Sequence, residues 1–304
     1  MFSYLDRLRH LDHCVDVVLD TDAYNEIDDQ FAMAYLIKSP QRANVKEIYA
    51  APYFNKKSTG PADGMEKSYN EIIKILSLME RDDLKKCVYK GSTTYLPNEE
   101  TPVISPAAEA LAKLASKYTK ENPLYVIALA AITNVASALL INPDIKDKIV
   151  VVWLGGHAMH MDKQDEFNLR QDIAAARIVF GCGVALVQLP CLGVATDLTT
   201  TGPELEYWLK GKNALCDYLV QNTIEEAESY ASGQPWSRVI WDVTAVAWLI
   251  NDEFTLDRLE HSPIPTYDNR YCYDNSRHFI RYVYFVERDK VFGDMFKKLS
   301  DNSN

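Results

Sequence analysis

The chain has no apolar run of transmembrane length, and its start, Met-Phe-Ser-Tyr-Leu-Asp-Arg-Leu-Arg-His, lacks the sustained hydrophobic stretch of a secretory signal. A cytoplasmic location is expected. Polybasic runs are also missing, and 32 Lys and Arg against 43 Asp and Glu give a formal charge of −11. Nucleic acid and anionic membrane surfaces both call for a basic footprint, so neither is expected as a partner. The six cysteines are scattered without C-x-x-C spacing, which argues against a zinc site and against a disulfide framework. No internal repeat, low-complexity linker or change of composition divides the 304 residues. One domain over residues 1–304 is the simplest expectation. A hydrophobic content of 47% suffices to fill its core.

What is present is an alternation. Short apolar, β-branched runs at 17–19, 45–51, 87–89, 124–129, 149–154 and 184–189 read as strands. Helical patterns fall between them, at 64–79, from Pro106 onward, at 135–141, and from an Asp172 cap to 180. Strands alternating with helices predict an α/β fold, a doubly wound, Rossmann-like domain around a mostly parallel sheet, with its ligand beyond the carboxyl ends of the strands. Beyond residue 190 the pattern weakens to helices at 203–209, 214–230 and 241–250. An alternating tail at 267–286 predicts a partly exposed hairpin.

The most charged stretch directly follows the first strand. Asp20, Asp22, Glu26, Asp28 and Asp29 place five carboxylates within ten positions. Strand periodicity puts Asp20 and Asp22 on one face, and Asp28 and Asp29 stand in the first turn of a helix that continues through Phe31, Met33, Ala34 and Leu36. Strand end and helix start thus bring Asp22, Asp28 and Asp29 together. Like charges this close raise one another's pKa unless a cation or a set of N–H donors neutralises them, and hard oxygen ligands suit Ca²⁺ or Mg²⁺ better than zinc. The same stretch also reads as a solvated acidic loop with an Asp cap.

Four motifs in order resemble the inosine-uridine-preferring nucleoside hydrolase family. They are the run from Asp20 to Asp29, which matches an Asp-x-Asp-x-x-x-Asp-Asp loop with two extra residues; Thr133-Asn134 after a strand; Gly155-Gly156 followed by Glu166-Phe167-Asn168; and Asp242 at the head of a late helix. The resemblance implies Ca²⁺-dependent hydrolysis of the N-glycosidic bond of a ribonucleoside or related N-riboside, with Ca²⁺ rather than Mg²⁺ as cofactor. By the same resemblance the metal ligands are Asp22, Asp29, the main-chain carbonyl of Thr133, and Asp242. Asp22 is also the base that activates water. Asp20 and Asp28 support the loop or touch the sugar, Glu166 and Asn168 hold the ribose hydroxyls, and Asn55 joins them. A homodimer or homotetramer is the expected assembly.

The chain departs from that pattern where a leaving-group acid is expected. A His often precedes the late Asp, and here that residue is Trp241, whose indole has no proton to give in this range but can stack on a base or wall the pocket. The Asn usually found six positions before the Glu is His160. His160 and His157 are candidates for a replacement acid, and both also read as solvated loop histidines. Trp236, Trp241 and Tyr230 read as core or subunit-interface aromatics, and the helix near 213–230 as a possible lid. Two other functions stay open. A strand ending Asp-x-Asp is also the nucleophile motif of haloacid dehalogenase-type phosphohydrolases, although Thr133-Asn134 and Glu166-Phe167-Asn168 have no part in that chemistry. A fold relative that binds a ribosyl ligand without turning over standard nucleosides is compatible with Trp241.

Overall fold

The apolar runs become the interior of an eight-stranded sheet in the computed structural model, which describes residues 3–301. Its strands are β1 (Val15–Thr21), β2 (Ala43–Ala50), β3 (Val88–Lys90), β4 (Leu124–Ala128), β5 (Ile149–Leu154), β6 (Ala185–Leu189), β7 (Thr255–His261) and β8 (Phe279–Val286). Their spatial order is β3-β2-β1-β4-β5-β6-β8-β7, parallel except for β7, which runs antiparallel to β8 at the edge. β4, β5 and β6 are buried at every position because helices cover both faces, as continuous Val, Ile and Leu runs require.

Period-two alternation divides those side chains between two cores. Val17, Leu19, Val150 and Val152 face the helices Asp28–Ile37, Pro61–Leu78, Val243–Ile250 and Arg288–Ser300. Val18, Val126, Val151 and Trp153 face Pro106–Ala115, Thr133–Ile141 and Ile173–Gly181. The chain winds outward from β1 to β2 and β3, then returns to place β4 on the other side of β1. The loops leaving β1 and β4 therefore diverge, which opens a crevice at their carboxyl ends. The predicted α/β fold is what the structure shows.

The tail differs from expectation. Residues 267–286 do not form a hairpin of their own: β8 enters the main sheet between β6 and β7, and only Tyr271–Cys272 makes a two-residue pairing, with Ile264–Pro265. β7, with sequence TLDRLEH, went unread because an edge strand need not alternate. Its Asp257 and Arg258 sit where one side of the strand has no neighbour. Among the described residues no helix is long and apolar enough to cross a membrane.

Candidate active site

The carboxyl ends of β1, β4 and β5 open onto a cavity of about 420 Å³. Asp22, Asp28, Asp29 and Asp242 line it, all of them buried. The 28–37 helix carries Asp28 and Asp29 in its first turn, and the late helix Val243–Ile250 brings Asp242 from over 200 residues away as its cap residue. Oxygens of Asp28, Asp29 and Asp242 all lie within 4.8 Å of one another. The Asp242 N–H donates to Asp28 Oδ2 at 3.3 Å, and the Thr21 hydroxyl donates to Asp29 Oδ1. Asp22 Oδ2 and Asp28 Oδ1 are buried with no hydrogen-bond partner among the described residues.

Burial, then the neighbouring carboxylates, push Asp22, Asp28 and Asp242 well above the ordinary carboxylate range. Burial pushes Asp29 up to about 7 against its hydrogen bonds from Thr21 and Asp242. Four buried carboxylates, two of them with an orphaned oxygen, form a donor set of the hard-oxygen type, and this set fits a divalent cation such as Ca²⁺.

The two extra loop residues have a visible role. Glu26 lines the cavity, and its Oε2 accepts from Arg238 Nη2 at 2.6 Å. Arg238 is also 3.6 Å from Glu226 on the Ala214–Ala231 helix, whose Glu226 accepts from Lys57 Nζ at 2.6 Å. That helix is fastened to the acidic loop by ion pairs, which is more than a lid requires. Tyr230 on it is exposed, whereas Trp236 packs over Gly202.

Thr133 and Asn134 act as clamps. Asn134 Nδ2 donates to Asp20 Oδ1 at 2.8 Å, while its own Oδ1 accepts from the Ser92 N–H and hydroxyl, each at 2.8 Å. Asp20 is fully buried, does not line the cavity, and is pushed up to about 7 by burial against the Asn134 amide. Thr133 Oγ1 donates to Asp172 Oδ2 at 2.7 Å, and Asp172 caps the Ile173–Gly181 helix. Thr133 itself begins a helix and is not among the cavity-lining residues. Leu129, at the end of β4, does line the cavity. Nothing in its aliphatic side chain marks it in the sequence as a cavity residue.

Glu166 is the cap of a one-turn helix, Phe167–Gln171, inside what the sequence suggested was loop. Its carboxylate accepts from the N–H groups of Gly156 at 2.9 Å, Asn168 at 2.8 Å and Leu169 at 2.8 Å. Burial pushes it up to about 7 although those three donors favour the anion. Gly156 has φ +78, and a Cβ there would strike the Tyr271 hydroxyl, so only glycine allows this turn. Asn168 Nδ2 donates to the carbonyls of Leu129 and Leu154, both at 3.0 Å, and Glu166 and Asn168 both line the cavity.

Two expected contacts do not reach the cavity. Asn55 stands behind its wall, donating to Asn25 Oδ1 at 2.6 Å, and Asn25 is the residue that lines it. His160 is exposed on the loop and lies outside the lining, whereas His157 is buried and lines it together with Asp165, Phe167, Arg170 and Trp241.

Comparison with known proteins places the chain in a family. The family model described as inosine-uridine preferring nucleoside hydrolase matches residues 17–284. The chain is 23% identical to the pyrimidine-specific ribonucleoside hydrolase RihA of Salmonella enteritidis over 261 residues, which cover 78% of this chain and 80% of the relative. Among solved structures, a purine-preferring ribonucleoside hydrolase from Gardnerella vaginalis superposes with a TM-score of 0.75 at 20% identity, covering 94% of this chain and 98% of that one. A plant nucleoside hydrolase, PpNRh1, gives 0.74 at 16% identity over 94% and 99%. At those identities the superpositions speak for the fold alone. The family match decides the relationship: this chain belongs to the inosine-uridine preferring nucleoside hydrolases, which are N-glycosyl hydrolases.

Proposed function

We propose that this protein hydrolyses the N-glycosidic bond of a ribonucleoside or related N-riboside with the help of a bound Ca²⁺, releasing ribose and free base. The observation that carries the reading is the set of buried carboxylates with unpartnered oxygens at the mouth of β1 and β4. By the family resemblance Asp22, Asp29 and Asp242 would hold the ion, with Asp28, whose oxygen lies within 4.8 Å of those of Asp29 and Asp242, beside it. The carbonyl of Leu129 is a better-placed fourth donor than that of Thr133, since Leu129 lines the cavity and Thr133 does not. When bound, the ion supplies a Lewis acid that lowers the pKa of a water and anchors sugar hydroxyls.

Asp22 takes the proton from the attacking water, for which its unpartnered Oδ2 is available. Asp28, also with a free oxygen, faces the sugar and stabilises positive charge as the ring approaches an oxocarbenium state. Glu166 and Asn168 fix the ribose, each held rigid by hydrogen bonds to main chain. Asp20 and Asn134 brace the end of β1 from behind. A cytoplasmic location belongs to the same reading, as does a homodimer or homotetramer, for which the exposed, edge-to-face pair Tyr207 and Trp208 offers a surface to cover.

Incubation with inosine, uridine and a phosphatase substrate tests the proposal. Release of ribose without release of phosphate is expected, and phosphate release alone would overturn it. Trp241 on the cavity wall favours one second reading, a ribosyl-binding relative without standard nucleosidase activity. That reading gains if wild-type and Asp22→Asn proteins are equally inactive on a broad nucleoside panel yet both bind ribose.

A further inference from the structure

His157 follows the Gly155-Gly156 turn beyond β5 and is fixed at both ends. Its main-chain N–H donates to Gln164 Oε1 at 2.7 Å, and its ring Nδ1 accepts from the Leu192 N–H at 3.3 Å. A ring nitrogen that accepts a hydrogen bond carries no proton, so the neutral imidazole bears its proton on Nε2. Burial favours that neutral form, lowering the ring's pKa against the opposing charge of Asp165. Nε2 lies 3.8 Å from Asp165 Oδ1, outside hydrogen-bond range, so its N–H remains free for another acceptor. The ring shares one cavity with Trp241, Asp22 and Asp242.

We propose that the Nε2–H of His157 is the hydrogen-bond donor to the departing nucleobase, at the wall of the cavity where Trp241 offers no acid. The assignment rests on the hydrolase reading above. As the C1′–N bond breaks, its electron pair passes to the base, and charge spreads from the ring nitrogen to conjugated acceptor atoms. The Nε2–H stabilises that charge without surrendering its proton, as a neutral imidazole can. The water oxygen bonds to C1′, its proton goes to Asp22 and then to solvent, and the base anion takes a proton from solvent. The Leu192 N–H on Nδ1 orients the donor, and a base edge pairing an acceptor with an adjacent N–H would engage both His157 and the nearby Asp165 carboxylate.

The test compares two leaving groups. Wild-type, His157→Ala and His157→Gln proteins are assayed on inosine, uridine and p-nitrophenyl β-ribofuranoside, whose nitrophenolate departs without a donor. The expected result is a fall of about 10²-fold in kcat on the nucleosides for His157→Ala, at least about tenfold larger than its fall on the nitrophenyl riboside. His157→Gln, which keeps an N–H donor, should recover part of the nucleoside rate. Equal losses on all three substrates in both variants, or no loss on the nucleosides, would overturn the assignment. Wild-type protein inactive on both nucleosides would overturn the hydrolase reading, and the assignment with it.

Discussion

Asn134 Nδ2 donates to Asp20 Oδ1 across 2.8 Å, tying the helix after β4 to the end of β1 directly behind the carboxylate cluster. Asp20 is fully buried, and its Oδ2 has no partner among the described residues. Asn134→Ala would therefore strand a buried carboxyl and two Ser92 donors, with an expected cost of about 1–3 kcal/mol. Urea denaturation at unchanged m-value measures it. A loss below about 0.5 kcal/mol would show that the clamp does not hold the β1 end.

A chelator-treated sample should gain stability when Ca²⁺ is returned. An ion that binds only the folded state adds about 2.7 kcal/mol at a hundredfold excess over its Kd, which thermal melting detects. Mg²⁺ should give a smaller shift, because it dehydrates reluctantly and demands near-ideal octahedral geometry. Asp29→Asn should abolish most of the gain. A melting temperature indifferent to Ca²⁺ would remove the ion from the account.

Asp257 gives a pH dependence remote from the cavity. Burial would raise its pKa, but bonds from His10 Nε2 at 2.8 Å, Trp248 Nε1 at 2.8 Å and Arg281 Nη1 at 3.0 Å outweigh that and hold it below the ordinary value. The folded state then binds fewer protons than the unfolded state. This contribution is full above the ordinary Asp pKa of about 3.9 and is lost as pH falls through the lower folded value. The stability gap between wild type and Asp257→Asn should narrow below about pH 4 in a denaturation series. A gap independent of pH would contradict the linkage.

Trp241→His puts an imidazole on the cavity wall directly before Asp242 and should alter the rate or the base preference. The ratio of kcat/KM for inosine and uridine measures the change. Identical rates on both substrates would place Trp241 away from the leaving group.

The sheet was legible because β4, β5 and β6 are covered on both faces and read as largely apolar runs, as does the short Val17-Val18-Leu19 stretch of β1. β7 was not, since an edge strand carrying Asp257 and Arg258 has no periodic signal. In the candidate site, the acidic residues stood out because charge in a buried strand–helix junction needs neutralising, and Asp22, Asp28, Asp29 and Asp242 do converge on one cavity. The displacement of Asn55 and His160 from the lining turns on side-chain direction, which spacing alone does not specify. Leu129 lines the cavity but carries no polar side chain to mark it in the sequence. His157 and His160 were indistinguishable in sequence, and only the fold buries one and exposes the other.

Ribose release from inosine and uridine by wild-type and Asp22→Asn proteins, measured side by side with Ca²⁺ present, tests Asp22 as the water-activating base. The predicted result is turnover by the wild type and a loss of about 10²-fold or more in the variant, with its circular dichroism unchanged. Wild-type-like turnover by Asp22→Asn would contradict it.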